Sequence, residues 1–463
     1  MEQLIRLYKY IFILLSCLFT LIGPFGFVSS GTEDIPGNQG IWDQIEALRW
    51  VKRNIAFFGG NPKQVTIFGE SAGGMSVMGL YISKQANGLF HKAIAQSGTT
   101  NGAFTTQHLH PKCGLEKIAQ NTNCDTSKPI KDLLICLQEA KVEEFGAILK
   151  ERTDLSDGFK MSPFRMADDS KFGLSIPTIF TSDPLKMMKN GDFNDVPLMI
   201  GANKDEGMAF INIMPISSLK KNIYHKGPSV FLGRAEEPTS KDTLDIMETI
   251  SSWYFGSKDP AEIESNDNFI EKGAAILTDS WFIMPNILTS NTLLNKAKSP
   301  IYQYMYGHHG SFTFCDIVNF DWKKYIGKMF MRFFGSDAFL NNLSCHADEV
   351  SLLFKVHKIP IDGVYNSDDK IVSAKMLEMW TDFVKTSNPT PKTNLWMPMN
   401  NADKDHPQWL YFDSKTSEMK TIMTEMAMNW MNLYEQYPPL NYYALHDQCP
   451  KAKNDAFQDK TEL

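Results

Sequence analysis

Ser71 lies in Gly69-Glu-Ser-Ala-Gly73, and a serine with a glycine two positions away on each side suits nucleophilic attack on a carbonyl by an exposed hydroxyl. Val65, Thr66, Ile67 and Phe68 are β-branched or aromatic, the composition of a short buried strand, and the small residues from Ser71 onward lead into a helix. The chain must turn sharply between the two, which Gly69 and Gly73 permit. The helix N-terminus then points at the serine, so the Ala72 N–H and the helix dipole favour negative charge on a bound carbonyl oxygen. Taken alone, the motif also fits a glycine-rich turn with no chemistry.

A serine of this kind needs a base and an acid that orients the base. Pro197-Leu-Met-Ile-Gly201 reads as a strand and runs into Asn203-Lys-Asp-Glu-Gly207, where Asp205 and Glu206 stand side by side. A carboxylate just after a strand sits at the carboxyl edge of a sheet, where open α/β sheets bind ligands. Ten histidines are present, among them His346 in Cys345-His-Ala-Asp-Glu-Val ahead of an apolar run, and His308 and His309 after a strand.

The elements that would position these groups follow from periodicity. Ile41, Ile45, Leu48, Val51 and Ile55 recur at helical spacing over residues 40–58, and Pro62 stops any continuation. Residues 92–97 read as a buried strand, 242–255 and 269–286 as helices, 300–307 as a strand by aromatic alternation, and 375–385 as a helix ended by Asn388-Pro389. Residues 154–195 are rich in Ser, Pro, Asp and Lys and read as irregular apart from a helix near 184–189.

Four stretches carry a resemblance: residues 37–51, Phe58-Gly-Gly-Asn-Pro62, Gly69-Glu-Ser-Ala-Gly-Gly74 and Ala95-Gln-Ser-Gly98. In order and density they are similar to the type B carboxylesterase and cholinesterase family over residues 23–434. The resemblance implies an α/β-hydrolase, a mixed and mostly parallel sheet flanked by helices, hydrolysing carboxylic esters through an acyl-enzyme with no cofactor and no metal. It selects Glu206 over Asp205 as the acid and His346 as the base, in the chain order Ser71, Glu206, His346. It matches Ser97 to a second serine bonded within the catalytic network and Phe104 to an acyl-pocket aromatic. From the residues alone, a strand-end serine and a plain core phenylalanine serve as well. It also implies a disulfide between Cys124 and Cys136, for which two buried thiols are the alternative. The family includes members that keep the architecture and lose catalysis, so the rival reading is a binding or adhesion protein.

In the family a long section carrying a glycine-rich oxyanion loop precedes the segment at 23–27. No such run lies before Gly23. The expectation is a member whose first strands are replaced by a leader, with one sheet edge exposed and turnover in doubt. Residues 1–22, with Arg6, Lys9 and an apolar run over 11–21, read as that leader, a signal peptide or an anchor, and the only expected route to a membrane. Residues 23–448 form the domain and 449–463 a polar tail.

Composition agrees with a globular chain. With 43% hydrophobic and 12% aromatic residues the chain can bury a large core, and a net charge of −7 without a basic block argues against nucleic acid. Seven cysteines include no Cys-x-x-Cys pair, which argues against zinc or a redox motif. Asn342-Leu-Ser344 is a glycosylation sequon, and the terminal Lys460-Thr-Glu-Leu463 is close to an endoplasmic-reticulum retention signal. The expected location is the reticulum lumen, or outside the cell.

Overall fold

The computed structural model describes residues 23–101, 111–145, 165–211, 241–311, 313–315, 343–354, 365–401, 407–421 and 424–437. Phe104, Asn342, the leader and the terminal tetrapeptide lie outside them.

Six strands form one sheet in the order β1 (Thr66–Glu70), β2 (Lys92–Gln96), β3 (Leu198–Asn203), β4 (Ile301–Tyr306), β5 (Gln408–Phe412) and β6 (Ser417–Thr421). The first five run parallel, and β6 closes antiparallel on β5. Parallel order requires crossovers that return over a face, and the faces are accordingly covered by helices. The helices that matter are α1 (Gln39–Asn54), α2 (Ala72–Ile82), α3 (Phe269–Thr278), α4 (Met284–Leu294), α5 (Asp348–Leu353), α6 (Ser367–Thr386) and α7 (Glu425–Gln436).

Alternation along the strands divides the core in two. Ile67, Ala93, Ala95, Leu198 and Ile200 point to one face, where Ile41, Ile45, Leu48 and Val51 of α1 cover them together with Val77, Met78 and Tyr81 of α2. The intervening Ile94 and Met199, with Tyr302, Tyr304 and Phe412, point to the other, against Val372, Met376, Trp380 and Phe383 of α6. The five apolar positions predicted for α1 are all buried, and the helix tightens into a 3₁₀ turn at Ile55–Phe58 before Gly59, at φ 80°, ends it. A capping box starts α6: Asn366 Oδ1 accepts from the Asp369 N–H at 2.9 Å, and Asp369 Oδ2 from the Asn366 N–H at 2.9 Å.

A third apolar cluster joins α3 and α7, through Ile276, Leu277, Trp430 and Leu433, to the π-helical turn Asp279–Ile283. Among the described residues β1 pairs with β2 alone. No helix among the described residues is long and apolar enough to cross a membrane.

Candidate active site

Ser71 occupies the turn from β1 into α2 with φ 56° and ψ −120°, a left-handed conformation that costs a side-chain-bearing residue on the order of 1–3 kcal/mol. Its surroundings hold it there. The Ser71 N–H donates to Gln96 O at 2.9 Å, and the Met75 N–H donates back to Ser71 O at 2.9 Å. A Cβ at Gly69 would fall 2.4 Å from the Gly73 backbone, and one at Gly98 would fall 2.2 Å from Ser71 O, so both positions require glycine. Gly73 differs: a Cβ there would meet nothing, and its part is the backbone that Gly69 packs against. Ala72 is exposed at the first position of α2, with its N–H at the positive end of the helix.

Glu206 follows β3 and is fully buried. Gly207 behind it can only be glycine, because a Cβ would lie 2.1 Å from Ala274 O of α3. Glu206 Oε1 accepts from the Ser97 hydroxyl at 2.5 Å and from the Asn203 N–H at 2.7 Å, which leaves Oε2 for a third partner. That partner is His346 Nδ1, at 2.5 Å. On the other side of the ring, Nε2 lies 2.8 Å from Ser71 Oγ. The three groups singled out from sequence therefore meet, across separations of 140 and 275 residues. Ser97 joins them through Glu206. Asp205, the rejected neighbour, takes a backbone role instead, accepting from the Ser344 N–H at 2.9 Å.

Glu70 and Glu349 belong to the same site but were not singled out by the sequence reading. Glu70 Oε1 is 3.2 Å from His346 Nε2. Glu349 is fully buried beneath the site, accepting from Gln96 Nε2 at 2.9 Å and Asn203 Nδ2 at 2.6 Å, while Gln96 Oε1 accepts from the Trp380 indole at 3.1 Å. A glutamate beside the serine, and another three residues after the histidine at the start of a helix that also buries Leu352 and Leu353, were the available signals.

Three carboxyl groups around one imidazole shape its charge. Burial works against the imidazolium, but the Glu206 charge and hydrogen bond, followed by Glu70 and Glu349, raise His346 to about 9. Burial pushes the Glu70 carboxyl up to about 8, against the pull of His346 and with Glu349 and Glu206 adding to it. Glu349 is likewise raised, by burial and then by Glu206. The imidazole ring also packs on Phe282 and Phe210, with centroids 4.9 and 5.1 Å away, and the π-helical turn is what presents Phe282.

Two disulfides are present among the described residues. Cys124 pairs with Cys136, as the resemblance implies, and Cys315 pairs with Cys345, which the sequence reading left unpaired.

The chain is 28% identical to carboxylesterase 5A of Canis lupus familiaris over 418 residues, which cover 88% of this chain and 63% of that protein. It is 30% identical to carboxylesterase 3 of Homo sapiens over 394 residues, 83% of this chain and 61% of that protein. It is also 29% identical to neuroligin-3 of Mus musculus over 376 residues, 80% of this chain and 40% of that protein. The chain thus spans less than two thirds of the length of these relatives. The sequence model of the Carboxylesterase family matches residues 21–431. With that match resting on a mostly parallel α/β-hydrolase sheet, the chain belongs to the carboxylesterase family.

Proposed function

We propose that the protein hydrolyses carboxylic esters of small molecules through an acyl-enzyme on Ser71. The observation that carries the reading is the unbroken contact Ser71 Oγ to His346 Nε2 at 2.8 Å and His346 Nδ1 to Glu206 at 2.5 Å. In this scheme the neutral imidazole takes the hydroxyl proton as Oγ attacks the ester carbonyl, then returns it to the departing alcohol. Glu206 fixes the tautomer with the proton on Nδ1 and stabilises the imidazolium, and Ser97 and the Asn203 N–H hold Glu206 in turn. The Ala72 N–H receives part of the charge that develops on the carbonyl oxygen. Water repeats the cycle on the acyl-enzyme and frees the acid. Phe210 and Phe282, flanking the imidazole, support an apolar acyl or alcohol group in the substrate.

The two disulfides support an oxidising compartment, and the terminal Lys460-Thr-Glu-Leu463 supports the endoplasmic-reticulum lumen as that compartment. Phe104 as a pocket wall and Asn342 as a glycan acceptor belong to the same proposal.

Stopped-flow hydrolysis of p-nitrophenyl esters by the full chain tests it. A burst of p-nitrophenol near one equivalent per chain, followed by slower turnover, is the expected record. Neither burst nor turnover from a folded sample would overturn the enzyme reading in favour of a binding protein.

A further inference from the structure

We propose that the Cys315–Cys345 disulfide is a positioning element for the general base, holding the backbone of His346 so that its imidazole spans the serine and the acid. The proposal rests on the ester-hydrolase reading above.

Cys345 immediately precedes His346, and both half-cystines are buried. The bond ties the histidine loop covalently to a segment 30 residues earlier in the chain. A single carboxylate reinforces it: Asp348 Oδ1 accepts from the Phe314 N–H at 2.5 Å and Oδ2 from the Cys345 N–H at 2.7 Å. The remaining polar group of the Cys345 backbone, its carbonyl, accepts from Asn203 Nδ2 at 2.7 Å. The Asn203 N–H is itself bonded to Glu206, so the tie is continuous with the acid. Cys345 is therefore held at its sulfur, its N–H and its carbonyl.

The imidazole of the next residue, His346, is held by two hydrogen bonds and two ring contacts. Phe210 and Phe282 pack on the imidazole and set its tilt, but rings that slide on one another do not fix where its Cα sits. Two hydrogen bonds at opposite ends of the ring, 2.5 and 2.8 Å long, cannot both survive a backbone displacement of about 1 Å, which is enough to cost on the order of 100-fold in rate. The titratable groups that face the ring are Glu206 after β3, Glu70 at the end of β1 and Glu349 on α5. Of these, Glu206 has the closest contact, and a wandering ring would lose it first. The imidazolium would then be less favoured, so the ring would titrate at lower pH.

The test compares two full-chain variants that each lose one disulfide, Cys315→Ala with Cys345→Ala and Cys124→Ala with Cys136→Ala. The second bond packs against Leu115, Ala119 and Leu133, in a separate cluster from the site. Both are assayed well below their melting temperatures. The first pair is expected to lower kcat by at least about 10-fold with KM within about threefold, and to move the His346 ring titration, followed by NMR, to lower pH. The second pair is expected to leave both at wild-type values.

A folded Cys315/Cys345 variant with wild-type kcat and titration would overturn the proposal, and so would equal losses in the two variants. If the first variant does not fold, the same comparison is made on wild-type chain with this bond opened by a phosphine reductant and verified by mass spectrometry. A reversible loss of kcat is then expected, and unchanged kcat overturns the proposal. The ring titration reads His346 whether or not esters turn over. An unchanged midpoint therefore counts against the crosslink, whereas a missing burst in wild type counts against the ester-hydrolase reading.

Discussion

Replacing Ser71 by alanine is expected to lower kcat for p-nitrophenyl esters by about 10⁵- to 10⁶-fold while the protein stays folded. The size of the effect follows from the division of labour in the site. Without Oγ there is no acyl-enzyme, and His346 and Glu206 are left with no hydroxyl to activate, so the three groups fail together rather than in proportion. What remains is binding plus the Ala72 N–H. The fold has little reason to suffer. Ser71 Oγ makes its contact with Nε2, whereas the turn is held by the Ser71 backbone and by Gly69 and Gly98, which the substitution leaves alone. A methyl in place of the hydroxymethyl side chain does keep the strained φ of 56°, so no relief of backbone strain is expected either. Steady-state assays alongside a thermal melt check both halves of the prediction.

Glu206→Gln is expected to lower kcat by about 10⁴-fold and to shift the acid limb of the residual activity to lower pH. The first effect is one of tautomer. An amide nitrogen placed where Oε2 now sits would donate to Nδ1, forcing the ring proton onto Nε2, where it faces Ser71 Oγ and cannot accept. The second effect has a definite sign. Activity is lost in acid as the imidazole protonates, and Glu206 is the leading group that raises His346 to about 9 against burial. Removing its charge leaves Glu70 and Glu349, so the imidazolium is less favoured and more acid is needed to silence the base. A shift of the limb to higher pH would contradict this assignment of the charges. Solubility and melting temperature bear watching in this variant, since Ser97 and the Asn203 N–H would be left facing an amide in a buried site.

Much of this site could be read from the sequence because its members sit next to local signals. Ser71 has Gly69, whose necessity is explained by a Cβ position 2.4 Å from the Gly73 backbone, and Glu206 has Gly207, pressed against the Ala274 carbonyl of α3. His346 had no such local signal, and only its Ala-Asp-Glu context and chain order distinguished it from nine other histidines. The helix α1 was legible from the period of its apolar residues because it buries one stripe, β2 to β4 were legible because they are buried nearly throughout, and of α6 only residues 375–385 were read.

Other features had no local trace. Phe210 and Phe282 flank His346 from a short helix and from a π-helical turn, and nothing in the spacing of residues 269–294 marks where the helix loosens. Cys315 and Cys345 are 30 residues apart among seven cysteines, so their pairing is a property of the folded chain. Glu349 was not singled out, because its partners, Gln96 and Asn203, come from the ends of β2 and β3. In each case the missing information is a long-range contact.

The most direct measurement is covalent labelling of the purified, folded chain with a fluorophosphonate, followed by peptide mapping. The account predicts one label per chain, on the peptide that contains Ser71, absent after Ser71→Ala and much slower after His346→Ala. A folded wild-type chain that takes no label, or takes it on another residue, would contradict it.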